Sequence, residues 1–279
     1  MNETTIRTRD GVDLFARTGP RVAGPNAVVA MVHGLGEHSG RYASLHRALS
    51  GAGLAWAAAD LRGFGRSPGT RGHVDGWADY RSDVAAILEL GRAQAPGAPV
   101  FLFGHSMGGL IVLDYALREP HGIAGVAASG PALVPAGVRR PVLEVTARVL
   151  SLLVPKLSTE LGLDPAGLST DPQVAVDYLA DPLVHGKVSM RWGAEIMASM
   201  AWVREHPASL RVPLLLQHGG ADPINAASGT VAFYEAAGCA DKTLRLYEGC
   251  RHEVHHDAAR ETFERDLVQW LLERSGVGV

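Results

Sequence analysis

Short, mostly apolar blocks recur along this chain, and most are followed by a longer stretch with helical spacing. Residues 27–32, 54–59, 100–103, 123–128 and 213–217 are such blocks, with 243–247 a more polar version. Apolar runs of this length, without polar alternation, fit strands covered on both faces. Helical periodicity fills 42–49, 77–95 (closed by Pro96-Gly97), 110–117, 228–237 and 258–272. Two further strand-like runs, 4–8 and 12–17, flank Asp10-Gly11, a hairpin signal, and predict an antiparallel edge. Strand followed by helix, repeated, means βαβ units. The fold class expected is therefore α/β, a mostly parallel central sheet with helices on both faces.

The alternation breaks between Pro131 and Pro207. Residues 142–154 are apolar on at least one face, fitting a lid helix or plain core, and Asp164-Pro165, Asp171-Pro172 and Asp181-Pro182 read as turns. The expectation is a core of residues 1–130 and 208–279, with 131–207 inserted between the sixth and seventh strands as a helical cap over one sheet edge. No internal repeat or low-complexity segment is visible.

Composition narrows the function classes. At 47% apolar and 20% charged, the 279 residues can bury a sizeable core. A net charge of −3, spread along the chain, offers no basic footprint for nucleic acid. Cys239 and Cys250 lack metal-ligand spacing and read as reduced thiols. Residues 1–5 lack the basic and apolar regions of a signal peptide, and no apolar run reaches membrane-spanning length. The cytoplasm is the compartment expected, with peripheral membrane contact through an apolar cap surface left open, as is monomer or homodimer.

The chemistry centres on Gly104-His105-Ser106-Met107-Gly108, which follows the block 100–103 and opens a helical run. Gly-x-Ser-x-Gly between strand and helix is the nucleophile-elbow pattern, with the serine exposed on a strained turn. A serine hydroxyl needs a base, and the base a third group to orient it. In such sheets functional groups gather after the strands' carboxyl ends, in the order Ser, acid, His. Asp222 follows the strand 213–217 and His252 follows 243–247. Asp60 and Asp241 are the rivals of Asp222, and His255 and His256 those of His252. For the oxyanion hole, Met107 N–H is one candidate and Leu35 N–H, in the glycine-rich loop His33-Gly34-Leu35-Gly36, the other. That loop lacks the lysine and spacing of a phosphate cradle. His252, His255 and His256 lack a carboxylate-rich metal-binding helix, so neither metal nor cofactor is expected.

These segments resemble the α/β-hydrolase superfamily, and within it the monoacylglycerol lipase and lysophospholipase-like group of serine aminopeptidase S33 type. The most specific stretch is His33-Gly34-Leu35-Gly36-Glu37-His38-Ser39-Gly40-Arg41-Tyr42, similar to that group's oxyanion loop. Asp60 to Ser67 resembles its next signature, although histidine is more usual where Phe64 stands. Gly104 to Gly109, Asp181-Pro182-Leu183-Val184, Gly220-Ala221-Asp222-Pro223 and His252-Glu253 match further segments, and Gly249-Cys250-Arg251 departs by carrying a charge. The resemblance implies Ser106, Asp222 and His252 as a catalytic triad, with Leu35 and Met107 N–H as the oxyanion hole. It also implies that Glu37, Arg41 and His255 line a polar pocket for glycerol hydroxyls. An ion pair anchoring the loop is the competing role for Glu37 and Arg41. The function expected is hydrolysis of carboxylic esters through an acyl-enzyme on Ser106, with monoacylglycerol the favoured substrate. A general carboxylesterase or lysophospholipase is the alternative, followed by amide hydrolysis and a non-catalytic binding protein. Serine at position 106 argues against a dehalogenase, whose nucleophile is a carboxylate.

Overall fold

The computed structural model describes residues 1–20, 24–136 and 149–276. Its main sheet has eight strands: β1 (Asn2–Arg7), β2 (Asp13–Thr18), β3 (Val28–Val32), β4 (Ala55–Ala59), β5 (Val100–His105), β6 (Gly125–Ser129), β9 (Leu214–Gly219) and β10 (Lys242–Tyr247). Their order across the sheet is β1-β2-β4-β3-β5-β6-β9-β10. β1 pairs antiparallel with β2, and β2 antiparallel with β4, at the edge set by the Asp10-Gly11 turn. All other pairings are parallel. Every residue of β3, β4, β5, β6 and β9 is buried, the physical reason for their unbroken apolar character.

Side chains alternate between two helical layers, as the two-residue period of a strand requires. Val29 and Met31 of β3, with Phe101 and Phe103 of β5, face α1 (Ala43–Gly51) and α7 (Arg260–Glu273), which bring Leu45, Leu49, Phe263, Leu267 and Trp270. Val28, Ala30 and Val32 face the other way, with Leu102, onto α2 (Ala78–Gln94) and α3 (Met107–Arg118). α6 (Ala227–Ala236) packs on β9 and β10. Three of the boundaries that differ from the sequence reading bear on the site. A 3-10 turn, Ser39–Tyr42, precedes α1; β5 runs on through Gly104 and His105; and α3 begins immediately after Ser106.

The chain between β6 and β9 is more than helices. Antiparallel β7 (Ser158–Glu160) and β8 (Lys187–Ser189) bracket α4 (Pro172–Ala180), and α5 (Met190–Glu205) follows. α5 returns to the core through Trp192, Ile196 and Val203. Two of the Asp-Pro pairs start helical structure: Asp164 and Asp171 accept from the N–H groups of Ala166 and Gln173, with proline at the first helical position. Asp181 closes a turn onto Leu183 N–H instead. Of the expected apolar helix, 142–148 lies outside the described residues, and 149–153 is helical. Leu152, Leu153 and Leu179 are 73%, 74% and 72% exposed on this insertion. Among the described residues no helix is long and apolar enough to cross a membrane. Cys239 and Cys250 are both buried and free.

Candidate active site

Ser106 sits between the last residue of β5 and the first of α3, at φ 54° and ψ −117°. It is the only non-glycine with positive φ among the described residues. Such a conformation costs on the order of 1–3 kcal/mol and persists only where neighbours enforce it. Here Ser106 N–H donates to Ser129 O (2.9 Å), while its carbonyl accepts from Leu110 and Ala132 N–H (3.1 and 3.0 Å). The flanking glycines are sterically required. A Cβ on Gly104 would overlap the carbonyl of Gly108, and one on Gly108 the carbonyls of Val32 and His33. As the first residue of α3, Met107 offers an N–H with no preceding helical carbonyl to bond, at the positive end of the helix dipole.

A continuous chain of hydrogen bonds leads away from the serine. His252 Nε2 lies 2.8 Å from Ser106 Oγ, and His252 Nδ1 lies 2.7 Å from Asp222 Oδ2. Nδ1 donates to the carboxylate, leaving Nε2 to accept the serine proton. The side chain of Asp222 is fully buried, and its Oδ1 accepts from Ile224 and Asn225 N–H at 2.8 and 3.0 Å. Burial alone would raise its pKa; the hydrogen bonds from His218 and His252 outweigh this and hold the carboxyl well below the usual range. The rivals are occupied elsewhere. Asp60 binds Ser39 and Arg17, and Asp241 pairs with Arg274. His256 binds Glu253 and the carbonyl of Arg41.

The loop after β3 is fastened from three sides. His33 Nε2 accepts from Leu61 N–H (2.9 Å), which puts the ring proton on Nδ1, 2.7 Å from Gly34 O. Gly34 N–H donates to Glu37 Oε1 (2.6 Å), and a Cβ on Gly34 would meet that oxygen at 2.8 Å and Ser106 Cβ at 3.3 Å. Gly36, at φ 75°, accepts from His185 N–H of the insertion (3.0 Å). Leu35 and Ser106 line the same cavity.

Glu37 also accepts from Tyr42 OH (2.6 Å) and Arg41 Nη1 (2.9 Å), and Arg41 makes a two-pronged bond to Glu253 (2.6 and 2.8 Å). Burial opposes all three charges. Arg41 still holds both carboxyls below their usual range, and they raise its own pKa. Of the three groups expected around glycerol, Glu37 alone lines the cavity, with both oxygens engaged. His255, like Arg41, does not line it. Its ring is 1% exposed, stacks on Tyr42 at 5.0 Å between His105 and His256, and neither nitrogen has a polar partner. Burial, then His256 and His105, push its pKa well down. A tight turn faces successive side chains to different surroundings, so proximity to His252 in sequence did not translate into proximity to the cavity. Glu253, which does line it, was legible only as a neighbour of His252.

Ligand atoms of Glu253, His255 and His256 lie within 4.8 Å of one another, a metal-sized cluster. Arg41 occupies the Glu253 carboxylate and puts a fixed positive charge at the same spot, so these residues do not fit a cation. The cavity over Ser106 is small, about 30 Å³, roofed by Leu163, Pro165, Leu168 and Tyr178 of the insertion. A larger one of about 280 Å³ lies beyond Leu35 and Tyr178, lined by Leu161, Leu179, Val184 and His185. The arrangement sets the Ser106 hydroxyl, hydrogen-bonded to His252, at the N-terminus of α3 beside an apolar space.

The pattern of the family described as serine aminopeptidase, S33 matches residues 23–259. An uncharacterized abhydrolase domain-containing protein of Dictyostelium discoideum is 33% identical over 273 residues, 97% of this chain and 29% of that protein. The monoglyceride lipase of Homo sapiens is 34% identical over 271 residues, 95% of this chain and 89% of the relative. Among solved structures, Paleococcus ferrophilus monoacylglycerol lipase superposes with a TM-score of 0.86 at 37% identity, covering 94% of this chain and 99% of that one.

Proposed function

The chain belongs to the serine aminopeptidase S33 family, and from that premise we propose that it hydrolyses monoacylglycerols to fatty acid and glycerol. It is a carboxylic ester hydrolase of the α/β-hydrolase fold. Ser106 attacks the ester carbonyl as His252 takes its proton; Asp222 orients His252 and stabilises the imidazolium that forms. Leu35 and Met107 N–H receive the developing oxyanion, each worth about 3 kcal/mol of barrier. His252 returns the proton to the leaving alcohol, then activates water to release the acid. The observation that carries this reading is the unbroken bond chain Ser106–His252–Asp222, at 2.8 and 2.7 Å, on a strained turn.

Residues 131–207 act as the cap, with the acyl chain running beneath it through the apolar space around Leu161, Leu163 and Leu179. Exposed Leu152 and Leu153 give that cap a face that can rest on a lipid surface. An aminopeptidase needs an unpaired anion for the substrate ammonium. Glu37 and Glu253 line the cavity, but Arg41 stands between them, which favours an ester over an amino-terminal peptide.

The test is a panel of mono-, di- and triacylglycerols, lysophosphatidylcholine, a p-nitrophenyl ester and an aminoacyl anilide. The monoacyl compound is expected to be turned over fastest, with Ser106→Ala reducing every activity by on the order of 10³-fold or more. Paired serine substitutions at Leu152 and Leu153 should slow hydrolysis of vesicle-borne substrate alone. Equal rates across the acylglycerols would overturn the substrate assignment; full activity in Ser106→Ala would overturn the mechanism.

A further inference from the structure

A second histidine meets the acid from the side opposite the serine. His218 is the penultimate residue of β9 and fully buried. An imidazole inside a sheet is costly unless both nitrogens find partners. Its Nδ1 lies 2.7 Å from Thr230 Oγ1 on α6, and its Nε2 lies 3.1 Å from the carbonyl of Asn225 and 3.1 Å from Asp222 Oδ2. Two oxygens that carry no proton face Nε2, so the ring proton is there, shared between them. Nδ1 is left as an acceptor, and the Thr230 hydroxyl donates to it.

We propose that His218 is a positioning residue for the acid of the triad, locked by Thr230 in the tautomer that holds Asp222 Oδ2 against His252. The inference rests on the reading of Ser106, His252 and Asp222 as that triad. The two backbone bonds to Oδ1 fix one end of the carboxylate but leave rotation about them, which would carry Oδ2 out of line with His252 Nδ1. His218 closes that freedom. Oδ2 then sits between two imidazoles, one connected to the serine and the other ending in the core at Thr230. In that tautomer the His218 ring carries no charge, and the full carboxylate charge is left to the imidazolium that forms on His252. A protonated ring in the same place would compete for it. His218 touches neither substrate nor cavity, and acts only through Asp222.

Three substitutions test this, assayed on a p-nitrophenyl ester so that the outcome does not depend on the acylglycerol assignment. His218→Leu removes the donor. His218→Gln keeps an N–H within reach of Asp222, and Thr230→Val releases the tautomer lock. The expected result is a kcat loss of about tenfold or more for His218→Leu, with KM within about twofold. His218→Gln recovers to within about threefold of the unmodified chain, and Thr230→Val falls between. With Oδ2 out of line, the imidazolium on His252 is less stabilised, so the acid limb of kcat/KM moves to lower pH in His218→Leu. Unchanged kcat and pH profile in His218→Leu overturn the proposal, as does equal loss in the Leu and Gln variants, which marks a packing role. Should His218→Leu not fold, unchanged kcat and pH profile in Thr230→Val overturn it. Ser106→Ala runs alongside: activity surviving there means that the triad reading has failed.

Discussion

At residue scale the molecule sets local strain against reactivity at Ser106. The φ of 54° is held by steric closeness of strand and helix, and by hydrogen bonds to both backbone groups of the residue. Glycine adopts that conformation with far less penalty. Ser106→Gly is therefore expected to abolish turnover and raise the unfolding free energy by about 1 kcal/mol, read from the urea midpoint at unchanged slope. Ser106→Ala keeps the strain and should leave the midpoint nearly where it was. A lower midpoint in the glycine variant would mean that the turn is unstrained.

At the scale of elements, the loop after β3 depends on Glu37. Its carboxylate ties Gly34 N–H, Tyr42 and Arg41 together, and Arg41 carries the tie on to Glu253 beside His252. Glu37→Ala should cost about 3 kcal/mol of stability, the scale for removing one partner of a buried pair. It should also lower kcat/KM by the same factor for a monoacylglycerol and a p-nitrophenyl ester. A selective loss on the acylglycerol would instead make Glu37 a glycerol contact. Elements were legible in the sequence where burial on both faces erased polar alternation, as in β3, β4 and β5. The insertion was not: β7 is exposed throughout, and α4 is short and buries none of its residues. Asp171-Pro172 has the composition of a turn whether it ends a segment or caps a helix. The candidate site was legible through order along the chain, Ser106, then Asp222, then His252. The Arg41–Glu253 pair joins residues 212 positions apart, and His218 falls just past the block 213–217, where nothing in the sequence marks it as a contact of Asp222.

At the scale of the whole molecule, buried imidazoles set the response to acid. Burial, helped by His252, lowers the pKa of His105 to about 4; burial, helped by the charge of Arg17, lowers that of His46 to about 3. The unfolded chain takes up these protons near pH 6.5, so folding holds them off. Stability is then complete above about pH 6.5 and falls as pH drops through 6.5 towards 4 and 3, by a few kcal/mol per histidine. The depressed carboxyls of Asp222, Glu37 and Glu253 act in the same direction, but only below about pH 4.5, where the unfolded chain begins to protonate them. The urea midpoint should already decline between pH 7 and 5, less the opposing effect of Asp83, whose carboxyl burial pushes up to about 6 so that the folded chain takes up a proton there. A flat profile over that interval would show the two rings accepting protons without penalty.

The bond from His185 N–H to the carbonyl of Gly36 ties the insertion to the loop after β3. A Cβ at residue 36 would fall against the carbonyl oxygen of His185, at 2.5 Å, so the two backbones have been fitted to one another across 149 positions of sequence. For anyone recombining relatives, this sets the crossover points. A chimaera that takes its insertion from another enzyme keeps the geometry of loop 33–42 only if the graft ends before residue 181, or if the donor brings its own loop along. Residues 181–186 belong by their contacts to the loop that carries Gly36, although they are written inside the insertion.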